Sequence, residues 1–358
     1  MTIGPSEGKV PEIDLSLLNG FSYTCLPDCG LCCYATPAVS PGEKPPLFKV
    51  DPKTPFVEGE GGYVQIAGRP DGGACHFLQA NRCRCHSVRP FPCAEFPVSV
   101  HIGSRAQATL ILSCPGVDIG RIASWASLSE PKQLPLGLDP ELALVKSEYG
   151  RHPVTKWMVE CSKRESTLQQ RMRKKGMWIP PEELRTLFLE EIPMPGEGDF
   201  PVSDPPGKEE GIDALPLFFD ERLGRVALRS GSGGWEALTI MELGGMKESI
   251  GCYQPLDQPP SMDKQAEAML QGYLSYITRR DMLLWAIYLE LQNHPEVSLI
   301  EMFDAFLREV GGQVLTRGCI RAQMDGNPSA TLSRSDIEKG IRATDADLMD
   351  QLTLGRVL

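Results

Sequence analysis

Cys25-Leu26-Pro27-Asp28-Cys29-Gly30-Leu31-Cys32-Cys33 puts four thiols into nine residues. Three residues and then two separate the first three cysteines, a spacing that lets a tight loop, relaxed by Gly30, turn several sulfurs toward one centre at about 2.3 Å from a metal. Cys32 and Cys33 are adjacent and project differently, so they can serve two centres or opposite sides of one cluster. A second group follows as Cys75-His76, Cys83-Arg84-Cys85-His86 and Arg89-Pro90-Phe91-Pro92-Cys93, with Cys114 before Pro115-Gly116 closing the set. Nine of the twelve cysteines thus fall between Cys25 and Cys114, while Cys161, Cys252 and Cys319 are scattered singly. A chain of 358 residues builds its own core and does not need a disulfide scaffold. Clustered thiols of this kind read as metal ligands or redox groups.

Working outward, residues 24 to 120 are rich in Cys, Pro and Gly and have few stretches long enough for a helix. Such loops bury too little apolar surface to offset their ordering entropy, and thiolate–metal bonds are the expected substitute. Short strands are expected at Tyr63–Ile66, Phe96–Ile102 and Ala108–Ser113, where β-branched and apolar residues recur. Helical periodicity begins near Asp139, through Glu141–Tyr149, Val154–Lys175 and Glu182–Glu190. Ile192–Gly211, with five prolines, reads as a linker. Leu215–Phe219 and Arg225–Arg229 flank a hairpin turn, and Trp235–Met241 reads as a further strand. Met262–Gln292 carries the strongest helical pattern, with room for a break. Ser298 caps another helix, expected to run to Val310 and end at Gly311-Gly312. The expected fold class is α+β. Residues 1–125 are read as a loop-rich cysteine-cluster domain with short strands, and 126–358 as a mainly helical domain with a small β-hairpin insertion near 212–242.

A formal charge of −11 argues against a protein that wraps nucleic acid, because phosphate binding needs concentrated positive surface. The run Lys163, Arg164, Arg171, Arg173, Lys174, Lys175 has the helical spacing of a solvated face. Met1–Val10 lacks the basic start and apolar run of a secretory signal, and Met282–Leu291 is too short to span about 30 Å of bilayer. The expectation is a cytoplasmic protein without membrane insertion. The histidines show no paired metal-hydrolase spacing, and Met241–Met246, although glycine-bearing, reads as a turn. Tyr273, Tyr276, Trp285 and Tyr288 fit a core face at helical spacing, with an aromatic cage for a cation as the alternative.

The cysteine pattern resembles the YkgJ-like cysteine-cluster family of zinc- or iron-chelating proteins. The resemblance rests on Cys25, Cys29, Cys32 and Cys33, on Cys75-His76-Phe77-Leu78, on Cys83, and on Arg89-Pro90-Phe91-Pro92-Cys93-Ala94-Glu95-Phe96-Pro97. It covers about Cys25 to Gly116 and leaves the helical remainder unassigned. It implies metal ligation by Cys25, Cys29, Cys32, Cys33, Cys75, Cys83, Cys93 and Cys114. Cys85 and His86 stand where the family tends to carry an apolar and an aromatic residue, and are further ligand candidates. Eight thiolates complete two four-ligand sites, as two zincs, two cubanes or one of each, and spacing does not divide them. Adjacent Cys32 and Cys33 favour an iron–sulfur cluster, of the 4Fe–4S type, over zinc. Arg89 is a candidate donor to the cluster or to a bound cofactor, with a salt bridge to Glu95 as its structural alternative.

One branch of that family is described as flagellin lysine N-methylases that use S-adenosylmethionine, so the resemblance implies protein lysine methylation on a protein substrate. Cys25-x3-Cys29-x2-Cys32 also has the spacing of radical S-adenosylmethionine enzymes. Leu31, however, replaces their aromatic residue, and no repeated βα units follow. The alternative is a non-enzymatic structural or electron-carrying metalloprotein that docks on a protein partner.

Overall fold

The structure is a computed structural model of the chain. It describes residues 12–34, 37–58, 64–68, 74–102, 105–126, 135–148, 153–196, 199, 217–220, 224–231, 234–240, 246–253, 260–294, 296–326 and 331–353. Its class is α+β, strand-rich in the N-terminal part and helical in the C-terminal part.

Short strands β1 (Ile13–Asp14), β2 (Ser22–Tyr23), β3 (Ala38–Val39), β4 (Phe56–Glu58), β5 (Val64–Ile66), β6 (Leu78–Gln79) and β7 (Arg82–Cys83) punctuate the cysteine-rich segment, with helices α1 (Lys44–Val50) and α2 (Phe91–Glu95) among them. Strands β8 (Val98–Ile102) and β9 (Ala106–Leu110) form an antiparallel hairpin that β1 joins in parallel at the β9 edge, and β10 (Val117–Asp118) pairs with β2. β3, β5 and β4 make a second small sheet, and β6 with β7 a two-residue hairpin. The turn of that hairpin, Ala80-Asn81, has φ of 48° and 58°, the left-handed pair that a tight hairpin of this length requires.

Helices α3 (Asp139–Glu148), α4 (Pro153–Lys174) and α5 (Pro181–Glu190) follow, each starting within two residues of its expected position. The basic run on α4 is exposed throughout, as a solvated face should be. The expected hairpin proves to be a four-stranded meander: β11 (Leu217–Asp220), β12 (Gly224–Gly231), β13 (Gly234–Ile240) and β14 (Met246–Tyr253) pair in chain order. The sequence reading missed β14, whose run mixes charged and small residues. The expected turn at Met241–Met246 falls, except for Met246, outside the described residues, as does most of the expected linker.

The long helical pattern divides into α6 (Lys264–Thr278) and α7 (Asp281–Glu290). Asp263 caps α6 by accepting from the amides of Gln265 and Ala266. At the break, Gln107 of β9 supplies what the interrupted helix lacks. Its Nε2 donates to the Arg279 carbonyl at 3.0 Å, and its Oε1 accepts from the Asp281 amide at 2.9 Å.

The helix capped by Ser298 corrects the expectation in its length. α8 (Leu299–Met324) runs straight through Gly311 and Gly312, because these glycines are buried and a side chain at Gly311 would press on Pro195. The final helix, α9 (Arg334–Thr353), packs along α8 so closely that a Cβ at Gly340 would strike the Val314 carbonyl.

One large core holds Leu17, Phe21, the inner residues of β8 and β9, Trp125, and the buried faces of α6, α7, α8 and α9. Tyr273, Tyr276, Trp285 and Tyr288 all belong to it, so the core reading of these aromatics holds. A separate small cluster of Val39, Leu47, Ile66 and Phe77 includes Cys75 and Cys85. The meander covers α8 and α9 through Val226, Leu228 and Trp235 against Ile320 and Ala343. Among the described residues no helix is long and apolar enough to cross a membrane.

Candidate metal centre

The first cysteine loop winds because Asp28 and Gly30 are both left-handed, with φ of 61° and 59°, on either side of Cys29. A 3-10 turn over Leu31–Tyr34 then carries Cys32 and Cys33, with the Cys33 amide donating to the Gly30 carbonyl at 3.1 Å. The loop is fastened to the second cysteine group by its backbone, since the Cys75 amide donates to the Cys33 carbonyl at 2.6 Å. The Arg82 Nε–Asp28 pair at 2.7 Å links the same two segments on the exposed surface, where it contributes little.

In the second group, the β6–β7 hairpin delivers Cys83, and Cys85 follows it into the interior. Their sulfurs are 3.5 Å apart. The Cys33 thiol interacts with both Cys32 and Cys83, so Cys32, Cys33, Cys83 and Cys85 are linked in sequence by the pull of each thiol on the next. Cys93 sits on α2 within electrostatic reach of Cys32, Cys75 and Cys83. Glu43 holds α2 in place: its Oε2 accepts from the Ser40 amide at 2.7 Å, and its Oε1 from the Phe91 amide, at the first turn of α2, at 2.6 Å. The sequence reading missed this carboxylate. Ser40 three residues before Glu43 was the available signal.

A different device brings Cys114 to the start of the first loop. β10 pairs with β2, and the Thr24 amide donates to the Gly116 carbonyl at 2.9 Å. The contact is tight enough that a side chain at Gly116 would strike the Thr24 carbonyl. From α9, Arg342 donates to the carbonyls of Cys114 at 2.7 Å, Leu112 at 3.2 Å and Val117 at 2.8 Å, fixing the turn that bears the thiol. Cys114 lies within electrostatic reach of Cys29 and Cys32, and the Tyr23 hydroxyl is hydrogen-bonded to Cys25 and close to Cys114. The nine thiols therefore fall into a larger set (Cys32, Cys33, Cys75, Cys83, Cys85, Cys93) and a smaller one (Cys25, Cys29, Cys114), with Cys32 reaching both.

The crowding shows in the electrostatics. Donation from Cys33 and Cys85 draws the Cys83 thiol down to about 3, while interaction with Cys32, then with Cys83, and burial push Cys33 up, and interaction with Cys83 and burial push Cys85 up. Burial pushes Cys114 up to about 12 and raises Cys93 as well. Neighbouring thiolates repel one another in this way until a cation is added. Among the described residues every cysteine is a free thiol, and no three Cys, His, Asp or Glu side chains already converge on one metal-sized centre. The donor set thus suits a thiophilic metal in chemistry, and its sulfurs meet in pairs and runs.

His86 is exposed and its Nε2 lies 3.2 Å from Arg89 Nη1. Arg89 also reaches Glu141 at 4.0 Å, and its charge acts on Cys32 and Cys93. The Arg89–Glu95 salt bridge considered from sequence is not formed. Instead Glu95 Oε2 is buried without a hydrogen-bond partner, and burial raises its carboxyl to about 8. Cys319 is a buried free thiol in the core, on α8.

Residues 24–115 match the family model CxxCxxCC, described as "Putative zinc- or iron-chelating domain". The match begins at Thr24 and ends at Pro115, so it takes in both thiol sets and stops one residue after Cys114. No curated protein matches the chain, and no solved structure does. The segment is a metal-binding cysteine-cluster domain.

Proposed function

We propose that the domain holds an iron–sulfur centre through the larger thiol set, with Cys25, Cys29 and Cys114 serving a second metal beside it. What supports this reading is the 3.5 Å approach of Cys83 and Cys85, with Cys32, Cys33, Cys75 and Cys93 near enough to act electrostatically on the same group of thiols. A polynuclear cluster spreads its four thiolate ligands over several irons, which suits sulfurs that meet in pairs and runs better than the single centre of a four-thiolate zinc does. Such a cluster would supply one-electron chemistry or an open iron. The chain's own residues do the rest: Arg89 places a cation beside Cys32 and Cys93, Arg342 fixes Cys114, and Glu43 fixes the helix of Cys93.

Absorption and metal analysis of protein purified without oxygen test the reading. Brown protein with iron and acid-labile sulfide near four or eight per chain is expected. Colourless protein with stoichiometric zinc would remove the cluster and leave the thiolate sites.

Methyl transfer from S-adenosylmethionine to a protein lysine is the activity that the resemblance implies, and an electron-carrying or structural role on a protein partner is the alternative. Calorimetric titration of the cofactor into cluster-loaded and cluster-free protein separates them. Binding that depends on the cluster supports an open iron. No binding in either form, with no added methyl mass on candidate partners, favours the non-enzymatic role.

A further inference from the structure

Cys83 and Cys85 place their sulfurs 3.5 Å apart, with Arg84 alone between them in the chain. The backbone holds both ends of this short segment. Cys83 pairs with Leu78 in the β6–β7 hairpin, the Arg84 amide donates to the Phe77 carbonyl at 2.9 Å, and the Cys85 carbonyl accepts from the Val88 amide at 2.8 Å in the His86–Val88 turn. Phe77 and Leu78 are fully buried, so the strand against which Cys83 lies is fixed by the core. The approach of the two sulfurs is therefore built into the hairpin and the turn that follows it.

The two thiols differ in access. Cys83 is half-buried and its neighbours Arg82 and Arg84 are exposed, whereas Cys85 is 2% exposed and belongs to the small core of Val39, Leu47, Ile66 and Phe77. A reagent from solvent meets Cys83 first. Thiol–disulfide exchange divides its labour in the same way: one sulfur takes the reagent as a mixed disulfide, and a second sulfur within reach displaces it. The Cα atoms of residues two apart in sequence lie within about 7 Å of each other, a span that a disulfide bridges. Cys33 also acts on Cys83, but it arrives from the first loop, fifty residues away, and makes the competing bond.

We propose that Cys83 and Cys85 form a thiol–disulfide exchange site for a low-molecular-weight disulfide such as oxidised glutathione, with Cys83 the attacking sulfur and Cys85 the resolving one. The Cys83 thiolate attacks one sulfur of the reagent and breaks its S–S bond, and the first glutathione leaves as a thiolate and takes up the proton that Cys83 gave. The Cys85 thiolate then attacks Cys83 Sγ, the mixed bond breaks, and the second glutathione leaves and takes up the Cys85 proton. The protein loses two electrons and two protons, and the reagent gains them as two molecules of glutathione. Thiolates are the form of cysteine that ligates metal, so closure withdraws both sulfurs from the larger set. That consequence rests on the metal reading, and the exchange itself does not.

The test is incubation of the full chain with oxidised glutathione, with and without a chelator. Alkylation of free thiols, digestion with an enzyme that spares Arg84, and mass spectrometry without reduction then locate the bond. A peptide lighter by two hydrogens, with Cys83 and Cys85 both unalkylated, is expected, at least in the chelated sample. Cys85→Ala removes the resolving sulfur, and glutathione should then remain on Cys83. Closure in a chain that carries no metal would support the exchange site and overturn the metal reading alone. The proposal is overturned by an unmodified Cys83 in both samples, by a lasting glutathione adduct on Cys83 in the wild type, or by a bond from Cys83 to Cys33 in place of Cys85.

Discussion

At the scale of the residue, the two kinds of cysteine in this chain differ in what surrounds the sulfur. Cys83 lies between two other thiols, whereas burial in an apolar core pushes Cys319 up to about 12. Cys83→Ser is therefore expected to lower bound metal by at least about one equivalent and to lower the melting temperature, because metal binding supplies folding energy to a loop-rich unit. Cys319→Ala should leave metal content unchanged, and metal analysis of the two purified variants checks both. A second residue gives a pH signature. Glu165 is buried against His101, 2.8 Å away, and burial raises its carboxyl above the ordinary range despite that partner. A carboxyl raised on folding binds more protons in the native than in the unfolded state, so its contribution is complete below the ordinary carboxylate pKa and is lost as pH rises through the raised value. Glu165→Gln should flatten that decline, read as the melting temperature against pH in wild type and variant.

Among the elements, α6 shows how close approach overrides local preference. Gly272 lies in the middle of this helix, where alanine would ordinarily be favoured by about 1 kcal/mol. A Cβ there, however, would strike the Ile122 carbonyl and the Ala123 Cα, both backbone atoms that cannot rotate away. Gly272→Ala is expected to destabilise by about 1–3 kcal/mol, the usual cost of overpacking, measured by urea unfolding. An outcome at or above wild-type stability would show that the Ile122–Ala126 turn yields. Elements were legible where periodicity was strong, as in α4 and α5. Legibility failed at Gly311-Gly312, since glycine in a sequence marks a helix end and a tight helix contact equally well. It failed at β14 because an edge strand with Lys247, Glu248 and two small residues has no alternating apolar signal.

Across the whole molecule, one buried ion pair joins three distant parts of the chain. Arg280 Nη1 contacts Asp345 Oδ1 at 2.6 Å with both side chains fully buried, and Arg280 Nη2 donates to the Leu110 carbonyl at 2.7 Å. Asp345 also accepts from the Leu112 amide at 2.6 Å and the Tyr273 hydroxyl at 3.2 Å. β9, α6 and α9 thus meet at one charge pair. Arg280→Met alone leaves a buried carboxylate without its cation, and should cost about 3–5 kcal/mol. The paired change Arg280→Met with Asp345→Asn should recover part of that loss. Chemical unfolding of both variants gives the comparison, and equal losses would mean that the network acts through shape alone.

The cysteine spacing by itself determined that residues 25–114 are a thiol-rich metal-binding segment, because ligand types and short loop distances are local properties. The apolar pattern determined the α+β class, since periods of two and near four are written along the chain. Which thiols meet was decided only by tertiary structure. Cys33 reaches Cys83 across fifty residues through the Cys75 backbone bond, and the β2–β10 pairing, under a clamp from α9, brings Cys114 to the Tyr23 ring whose hydroxyl meets Cys25. Contacts between residues far apart in sequence follow from how elements pack, and no local spacing encodes that.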